Sequence, residues 1–293
     1  MTGTIQLLAL LGDLPARLAA GDPDLVRPLA SVTGTLGAAL VAGAEGRPAR
    51  HDPAALATAL SVRLPGWPVV SFSDGRGDHP YNTARRFLSV DHLSGGRSGV
   101  LFQTGGARAQ HTAERIQVVR ALWNSWPLDS LVADRDTGVY AHTDEIREID
   151  HQGADFRVHG ALNTPSSIQG EPVSLWHVST AEELDAAHGL VDLVVLDDPD
   201  LLHRWRASEA EARPGLVAAG IVHGGEAAAE LVSVSTTAEL FEAVATLPPA
   251  PLPPGLPAGE HGRAAPTLRA LFGLPPRSFD LSSKPLAFGA SRA

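Results

Sequence analysis

Eight short apolar runs, each bounded by turn residues, constrain the fold of this chain more than any other feature. They are Thr4–Leu10, Gly37–Ala42, Trp67–Phe72, Gly99–Gln103, Pro172–His177, Asp192–Leu196, Leu216–Val222 and Leu231–Val234. Most are nearly continuous hydrophobic stretches, as strands are when both faces of a parallel sheet are covered. We therefore predict eight buried parallel strands.

Helical patterns follow most of these runs. Capping signals open three of the helices, at Asp52, Thr180 and Thr236, and the two threonines each stand three residues before a glutamate. Thr112–Trp126 has the spacing of an amphipathic helix, with Arg115 and Arg120 away from its apolar face. Repeated units of strand and capped helix predict an α/β protein, a (β/α)8 TIM barrel.

Two segments do not fit the repeat. Pro127–Glu171 is too long for an ordinary connection, so we predict an insertion after the fourth helix. From Leu247 the chain is rich in proline, and Thr267–Gly273 can add one short helix. We predict a barrel domain over residues 1–246, with the insertion at 127–171, and a Pro-rich C-terminal extension over 247–293 packed on the barrel.

Composition excludes several classes of function. A net charge of −10 argues against nucleic-acid binding, which requires a basic surface. The chain has no cysteine, so disulfides and thiolate metal sites are excluded. No apolar run reaches the roughly 20 residues that span a bilayer. With no basic start of a secretory signal, we expect a cytoplasmic protein without a membrane partner.

Several motifs stand in a fixed order along the chain. They are His79–Gly99, Val118–Trp126, Asp134–Tyr140, Phe156–Asn163, Gln169–Val173 and Thr267–Pro275. Together they resemble the luciferase-like flavin monooxygenases, in the branch of the nitrilotriacetate and dibenzothiophene-sulfone monooxygenases. The similarity is continuous from about Asp52 to Val195 and patchy elsewhere.

The resemblance implies a TIM barrel that binds reduced FMN at the carboxyl ends of its strands. It also implies a small-molecule substrate, a separate flavin reductase and a homodimer. The hydroxyls expected on the flavin side are Ser71, Ser73, Thr104, Ser179 and Thr180. The residues expected to handle protons are His51 and His177, since histidine titrates near neutral pH.

Each of these assignments has a simpler alternative. His51 can be an exposed loop histidine, and His177 can cap a strand end instead of lining a pocket. Ser71 and Ser73 can reflect ordinary strand-end polarity. Asp150 and His151 have no second ligand pair at useful spacing, so we predict no metal site.

The sequence departs from the family at two positions that matter for flavin. Leu101 stands where the family has an asparagine, and leucine cannot hydrogen-bond a flavin edge. Glu183 stands where glycine is usual, and a capping box would direct its carboxylate to the amides that bind phosphate. The segments after Thr104 and after Leu196 are also shorter than in the family. We therefore predict a trimmed barrel with a weakened phosphate site, in which FMN binding is reduced or lost.

Two functions follow from the resemblance and its departures. The first is an FMN-dependent monooxygenase or related oxidoreductase acting on a small organic substrate. The alternative is a flavin-free homologue of that family, either a non-catalytic partner subunit or a ligand-binding protein.

Overall fold

Eight parallel strands pair in chain order and close into a barrel, which confirms the predicted fold. The computed structural model describes residues 5–32, 38–42, 52–75, 78–208, 214–219, 227–247, 266–275, 277 and 280–288. The barrel strands are β1 Ile5–Leu10, β2 Ala38–Ala42, β3 Val69–Ser73, β4 Ser98–Phe102, β5 Val173–His177, β6 Leu193–Leu196, β7 Gly215–Ala219 and β8 Ala229–Val234. Each predicted strand coincides with one of these.

Helices connect the strands on the outside of the barrel. In the described residues they are α1 Leu14–Ala20, α2 Pro23–Ser31, α3 Pro53–Arg63, α4 Pro80–Ser94, α5 Ala109–Trp123, α6 Ala181–Ala187, α7 Pro199–Ala207, α8 Thr237–Thr246 and α9 Leu268–Leu271. The predicted caps are present: Asp52 accepts from the amide of Ala55 at the start of α3, and Thr180 and Thr236 form complete capping boxes. Local sequence therefore fixes where these three helices begin.

Side chains of each strand alternate between two separate apolar clusters. Val70 and Leu101 belong to the cluster inside the barrel, whereas Val69, Val100 and Phe102 belong to the cluster between barrel and helices. The alternation follows from the pleat of a strand, which points successive side chains to opposite faces. It determines which polar residues can reach the barrel interior.

The insertion carries a two-stranded hairpin that is anchored on α5. The hairpin pairs His151–Gln152 with Arg157–Val158. The Glu114 carboxylate, on α5, accepts hydrogen bonds from the amides of Asp155 and Phe156 and from His151 Nε2 at 3.0 Å. Burial raises the pKa of Glu114, but these hydrogen bonds outweigh it and hold the pKa below its usual value. The insertion is thus tied to the barrel's helical layer.

The C-terminal segment fills one end of the barrel. Leu268 and Leu271, from α9, pack into the interior cluster. A side chain on Gly99 of β4 would lie 2.8 Å from the carbonyl oxygen of Val173 on β5 and 2.9 Å from Leu268, so glycine is needed where β4, β5 and α9 meet. The predicted C-terminal extension over 247–293, packed on the barrel, stays a prediction.

A buried ion pair holds α9 at that end. Both terminal nitrogens of Arg269 donate to the Asp192 carboxylate at 3.0 Å, and Arg277 adds a third contact at 3.1 Å. Asp192 also accepts from the amide and hydroxyl of Ser174 on β5. The carboxylate therefore joins the barrel wall to the C-terminal segment.

Arg115 and Arg120, predicted to lie away from the apolar face of α5, nevertheless do not face solvent. Both side chains are buried, because α5 is covered on several sides by neighbouring segments. Arg120 pairs with the buried Glu171 at 2.7 Å, at the end of the insertion. Arg115 donates to the hydroxyls of Ser73 and Thr83, between α5 and its neighbours β3 and α4.

We predict that Arg269→Leu destabilises the fold by about 3 kcal/mol, because it leaves a buried carboxylate short of its main partner. Arg204→Leu is the matched control, since Arg204 pairs with Asp185 on the surface, where ion pairs contribute little. Urea unfolding measures both. Equal losses in the two variants would contradict a special role for the buried pair.

Asp192 also makes stability depend on acid pH. Burial raises its pKa, but the charges of Arg269 and Arg277 and the hydrogen bonds outweigh burial, so the pKa lies below the usual 3.8. The unfolded chain therefore takes up this proton first, and the stabilisation is present above pH 3.8 and lost as pH falls through the folded value. We expect a steeper loss of unfolding free energy below that pH in wild type than in Asp192→Asn, measured by urea unfolding at each pH.

Candidate functional site

The carboxyl ends of the barrel strands form the mouth, the end opposite to α9. Active sites of TIM barrels lie at this end. Leu101 on β4 is in register with Leu175 on β5, and both are buried inside the barrel. Gln103 and His177 are each two residues further along, so the same alternation directs them to the mouth.

A chain of three polar side chains crosses the ends of three neighbouring strands. Gln103 Nε2 lies 3.1 Å from Nδ1 of His177, and His177 Nε2 lies 3.5 Å from Oδ2 of Asp197. The His177 side chain is 11% exposed and that of Asp197 is 55% exposed. The chain of three therefore runs around the rim of the barrel from β4 to β6, and Asp197 is its exposed end.

Apolar side chains accompany this polar chain at the mouth. Phe72 at the end of β3 and Leu231 on β8 are only partly buried and pack on the interior cluster. Leu101 lies below Gln103 and is nearly fully buried. The described residues at this end thus combine a polar edge with an apolar barrel interior, a combination found at small-molecule sites.

Ser71 and Ser73 lie on the other face of β3. They alternate with Val70 and Phe72, which face the interior. The Ser73 hydroxyl accepts from Arg115 at 3.1 Å, and that of Ser71 is buried without a hydrogen-bond partner among the described residues. The structure therefore brings both serines to the helical layer and not to the mouth.

Thr104 follows β4 and turns towards β5. Its hydroxyl accepts from the indole N–H of Trp176 at 3.4 Å, and Trp176 is fully buried in the outer cluster. Leu101, by contrast, does face the interior, where the family has an amide. Neither residue supplies the polar contact to flavin that the resemblance implies.

Ser179 and Thr180 precede α6 and meet the carboxylate of Glu183. Oε2 of Glu183 accepts from the amide of Ser179 at 2.7 Å and from that of Thr180 at 3.2 Å. The Thr180 hydroxyl accepts in return from the Glu183 amide. Glu183 is only 6% exposed. The Glu183 carboxylate therefore occupies the amides that the resemblance implies for the flavin phosphate.

The remaining predictions concern one residue and two absences. His51 lies outside the described residues, so its role stays a prediction. In the part of the chain that the structure describes, no three or more His, Cys, Asp or Glu residues are grouped to hold a metal ion. Among the same residues, no helix is both long and apolar enough to cross a membrane.

Comparison with known proteins gives a consistent set of relatives, although no family model matches the chain. It is 41% identical over 120 residues to one of the subunits of pristinamycin IIA synthase from Streptomyces pristinaespiralis, covering 41% of each chain. It is 39% identical over 113 residues to dibenzothiophene-sulfone monooxygenase of Rhodococcus erythropolis, covering 33% of this chain and 25% of that one. It is 31% identical over 139 residues to nitrilotriacetate monooxygenase component A of Aminobacter aminovorans, covering 42% and 31%.

The fold points the same way. A solved structure of riboflavin lyase with modified FMN and riboflavin superposes with a TM-score of 0.56 at 25% identity, covering 74% of this chain and 62% of that one. The resemblance to the luciferase-like monooxygenases is confirmed. The chain nevertheless matches less than half the length of each of the three curated relatives named above.

The described residues do not fit FMN in the way the luciferase-like resemblance implies. The two serines of β3 face the helices, Thr104 is bonded to Trp176, and Leu101 replaces an amide. At the start of α6 a buried carboxylate already accepts from the backbone donors. Of the residues expected to contact flavin or substrate, His177 lies at the mouth, and Ser179 and Thr180 follow it at the same end, between β5 and α6.

Sequence reasoning missed Gln103 and Asp197. A signal for both was present: Gln103 is two residues after Leu101, and Asp197 is two residues after Val195, so each shares the parity of an interior apolar residue. Side chains two residues apart on a strand face the same side. Extending each strand in steps of two residues from its interior apolar positions to the first polar residue would have found both.

We predict that Glu183→Ala costs about 1 kcal/mol of folding stability, because two backbone amides lose their acceptor. Glu239→Ala is the matched control, since Glu239 forms the same capping box at α8 but is exposed. Thermal and urea unfolding measure both. A Glu183 variant as stable as wild type would contradict the observed cap.

Proposed function

We propose that this protein is a component of a flavin-dependent monooxygenase that acts on a small organic compound. The observation that carries the proposal is the agreement between the closed eight-stranded barrel and the similarity to proteins named as monooxygenases. The mouth adds a second support, because apolar walls and a short polar edge suit a small organic substrate.

Reduced FMN, when bound to such an enzyme, supplies the oxygen-activating chemistry. We propose that a separate flavin reductase supplies it, as the name component A suggests for the nitrilotriacetate relative. The homodimer and the cytoplasmic location implied by the resemblance belong to the same proposal.

A second candidate is that this chain is the flavin-free subunit of such a monooxygenase. Two features favour it: the Glu183 carboxylate on the amides of Ser179 and Thr180, and Leu101 in place of an amide. A further support is the relative from Streptomyces pristinaespiralis, which is named as a subunit. The match covers 41% of that chain and 41% of this one. In this candidate the flavin lies in another chain.

The activity is tested by supplying the full chain with a flavin reductase, NADH, FMN and isotopically labelled dioxygen. A panel of small amines, sulfides, sulfones and alkanes serves as substrate, and mass spectrometry detects the product. We expect one labelled oxygen atom in the product of at least one compound. No labelled product from any compound would contradict a self-sufficient monooxygenase component and leave the subunit candidate.

FMN and riboflavin titrations decide whether Glu183 controls flavin binding. The two ligands differ in the phosphate, so their ratio of affinities isolates that group. If the carboxylate excludes phosphate, Glu183→Gly should strengthen FMN binding by about tenfold and leave riboflavin unchanged. Fluorescence quenching of the oxidised ligands measures both affinities.

Glu239→Gly is the control for this titration, because it removes the glutamate of the same type of capping box at the start of α8. Its FMN affinity should equal that of wild type. If the ratio of FMN to riboflavin affinity is the same in wild type and both variants, the start of α6 does not contact the phosphate. Tight FMN binding by wild type would contradict the flavin-free candidate.

A further inference from the structure

Arg115 is a buried cation whose hydrogen-bond donors are mostly unused. It is 2% exposed and lies between α5, α4 and the outer face of β3. Its Nη2 donates to the hydroxyls of Ser73 at 3.1 Å and Thr83 at 3.0 Å. Nε and Nη1 are buried as well, and neither has a hydrogen-bond partner among the described residues. These nitrogens carry more than half of the N–H groups of a guanidinium.

Two other arginines of the described chain are equally buried, and both have a carboxylate partner. Arg120 pairs with Glu171 at 2.7 Å, and Arg269 pairs with Asp192 at 3.0 Å. This is the usual arrangement, because an unpaired charge inside a protein costs several kcal/mol, roughly. Arg115 has only the hydroxyls of Ser73 and Thr83, which are neutral. Its charge therefore lacks the direct compensation that the other two receive.

Two carboxylates act on Arg115 only from a distance. Burial lowers the pKa of Arg115, and the charges of Asp78 and Asp74 oppose that shift. Within the described structure neither forms an ion pair with Arg115, and Asp78 instead pairs with Arg86 at 2.5 Å. These two aspartates would repel a multiply charged anion more strongly than a monovalent one.

The surroundings of Arg115 leave room for a small ligand only. The loop after β3 approaches closely, since a side chain on Gly75 would lie 3.1 Å from Nη1 of Arg115. Ser71, two residues before Ser73 on the same face of β3, has a buried hydroxyl that also lacks a partner in the described chain. The layer behind β3 therefore contains unpaired donors on two side chains, enclosed by backbone and helices.

We propose that Arg115 binds a small monovalent inorganic anion, such as chloride, between β3, α4 and α5. The anion accepts hydrogen bonds from the unused N–H groups and supplies the negative charge that Glu171 supplies to Arg120. The site lies on the outer face of β3, behind the wall of the mouth. It is therefore separate from any flavin or substrate site inside the barrel, and it goes beyond the proposed function.

Chloride dependence of thermal unfolding tests this site on the full chain. Replacing sodium gluconate by sodium chloride at constant ionic strength changes only the anion. An anion that binds the folded protein alone raises Tm with the logarithm of its concentration. We expect about 2 °C for each tenfold increase in chloride above its Kd in wild type, and no such rise in Arg115→Met.

Arg204→Met is the matched control, because it also removes one positive charge. Arg204 pairs with Asp185 on the surface, so its loss should leave the chloride dependence at the wild-type value. Loss of the dependence in both variants would mean a diffuse attraction to arginines, and would overturn the site. A wild-type Tm that is the same in chloride and gluconate would overturn it as well.

Bromide locates the anion directly, and this measurement needs only the wild-type protein. Crystals grown with sodium bromide should show anomalous density in contact with Nε or Nη1 of Arg115. Water can satisfy unpaired donors without neutralising the charge, so an ordered water there in place of bromide would overturn the proposal. Bromide density without any chloride dependence in solution would mean binding at crystal concentration only, and would also overturn it.

Discussion

The alternation of side chains in a closed barrel determines the chemistry available to this protein. Each strand points every second side chain into the barrel. Because the barrel is closed, it has no edge strand, and this alternation holds for all eight strands. On β3 the pattern gives the interior Val70 and Phe72 and gives the helices Ser71 and Ser73. On the next two strands it gives the mouth Gln103 and His177. Which polar residues reach the mouth therefore follows from the alternation of side chains along each strand.

The buried ion pairs near α9 and the polar chain at the mouth lie at opposite ends of the barrel. Buried charges cluster at the end where α9 enters, where Asp192 joins Arg269 and Arg277, and Glu171 joins Arg120. Such pairs are expensive to break, because the remaining partner stays buried without compensation. The motifs of the insertion and the C-terminal ending contribute to this end. Their presence in the sequence is therefore evidence for the scaffold and not for the residues at the mouth.

The sequence predicted the fold well because its signals are local. Each strand is a short apolar run between turn residues, and Thr180 with Glu183 specifies a cap through four consecutive residues. The mouth was harder to predict, since Gln103, His177 and Asp197 come from three strands and meet only after closure. Ser71 and Ser73 were assigned from the family motif without regard to their face. The burial of Arg115 and Arg120 could not be predicted, because periodicity along one helix says nothing of the segments that cover it.

A crystal structure grown with millimolar FMN tests the central claim most directly, namely that the Glu183 carboxylate occupies the amides at which the resemblance implies a flavin phosphate. The account predicts Glu183 on the amides of Ser179 and Thr180, with no phosphate density at the start of α6. Density for an FMN phosphate on those amides, with Glu183 turned away, would contradict it.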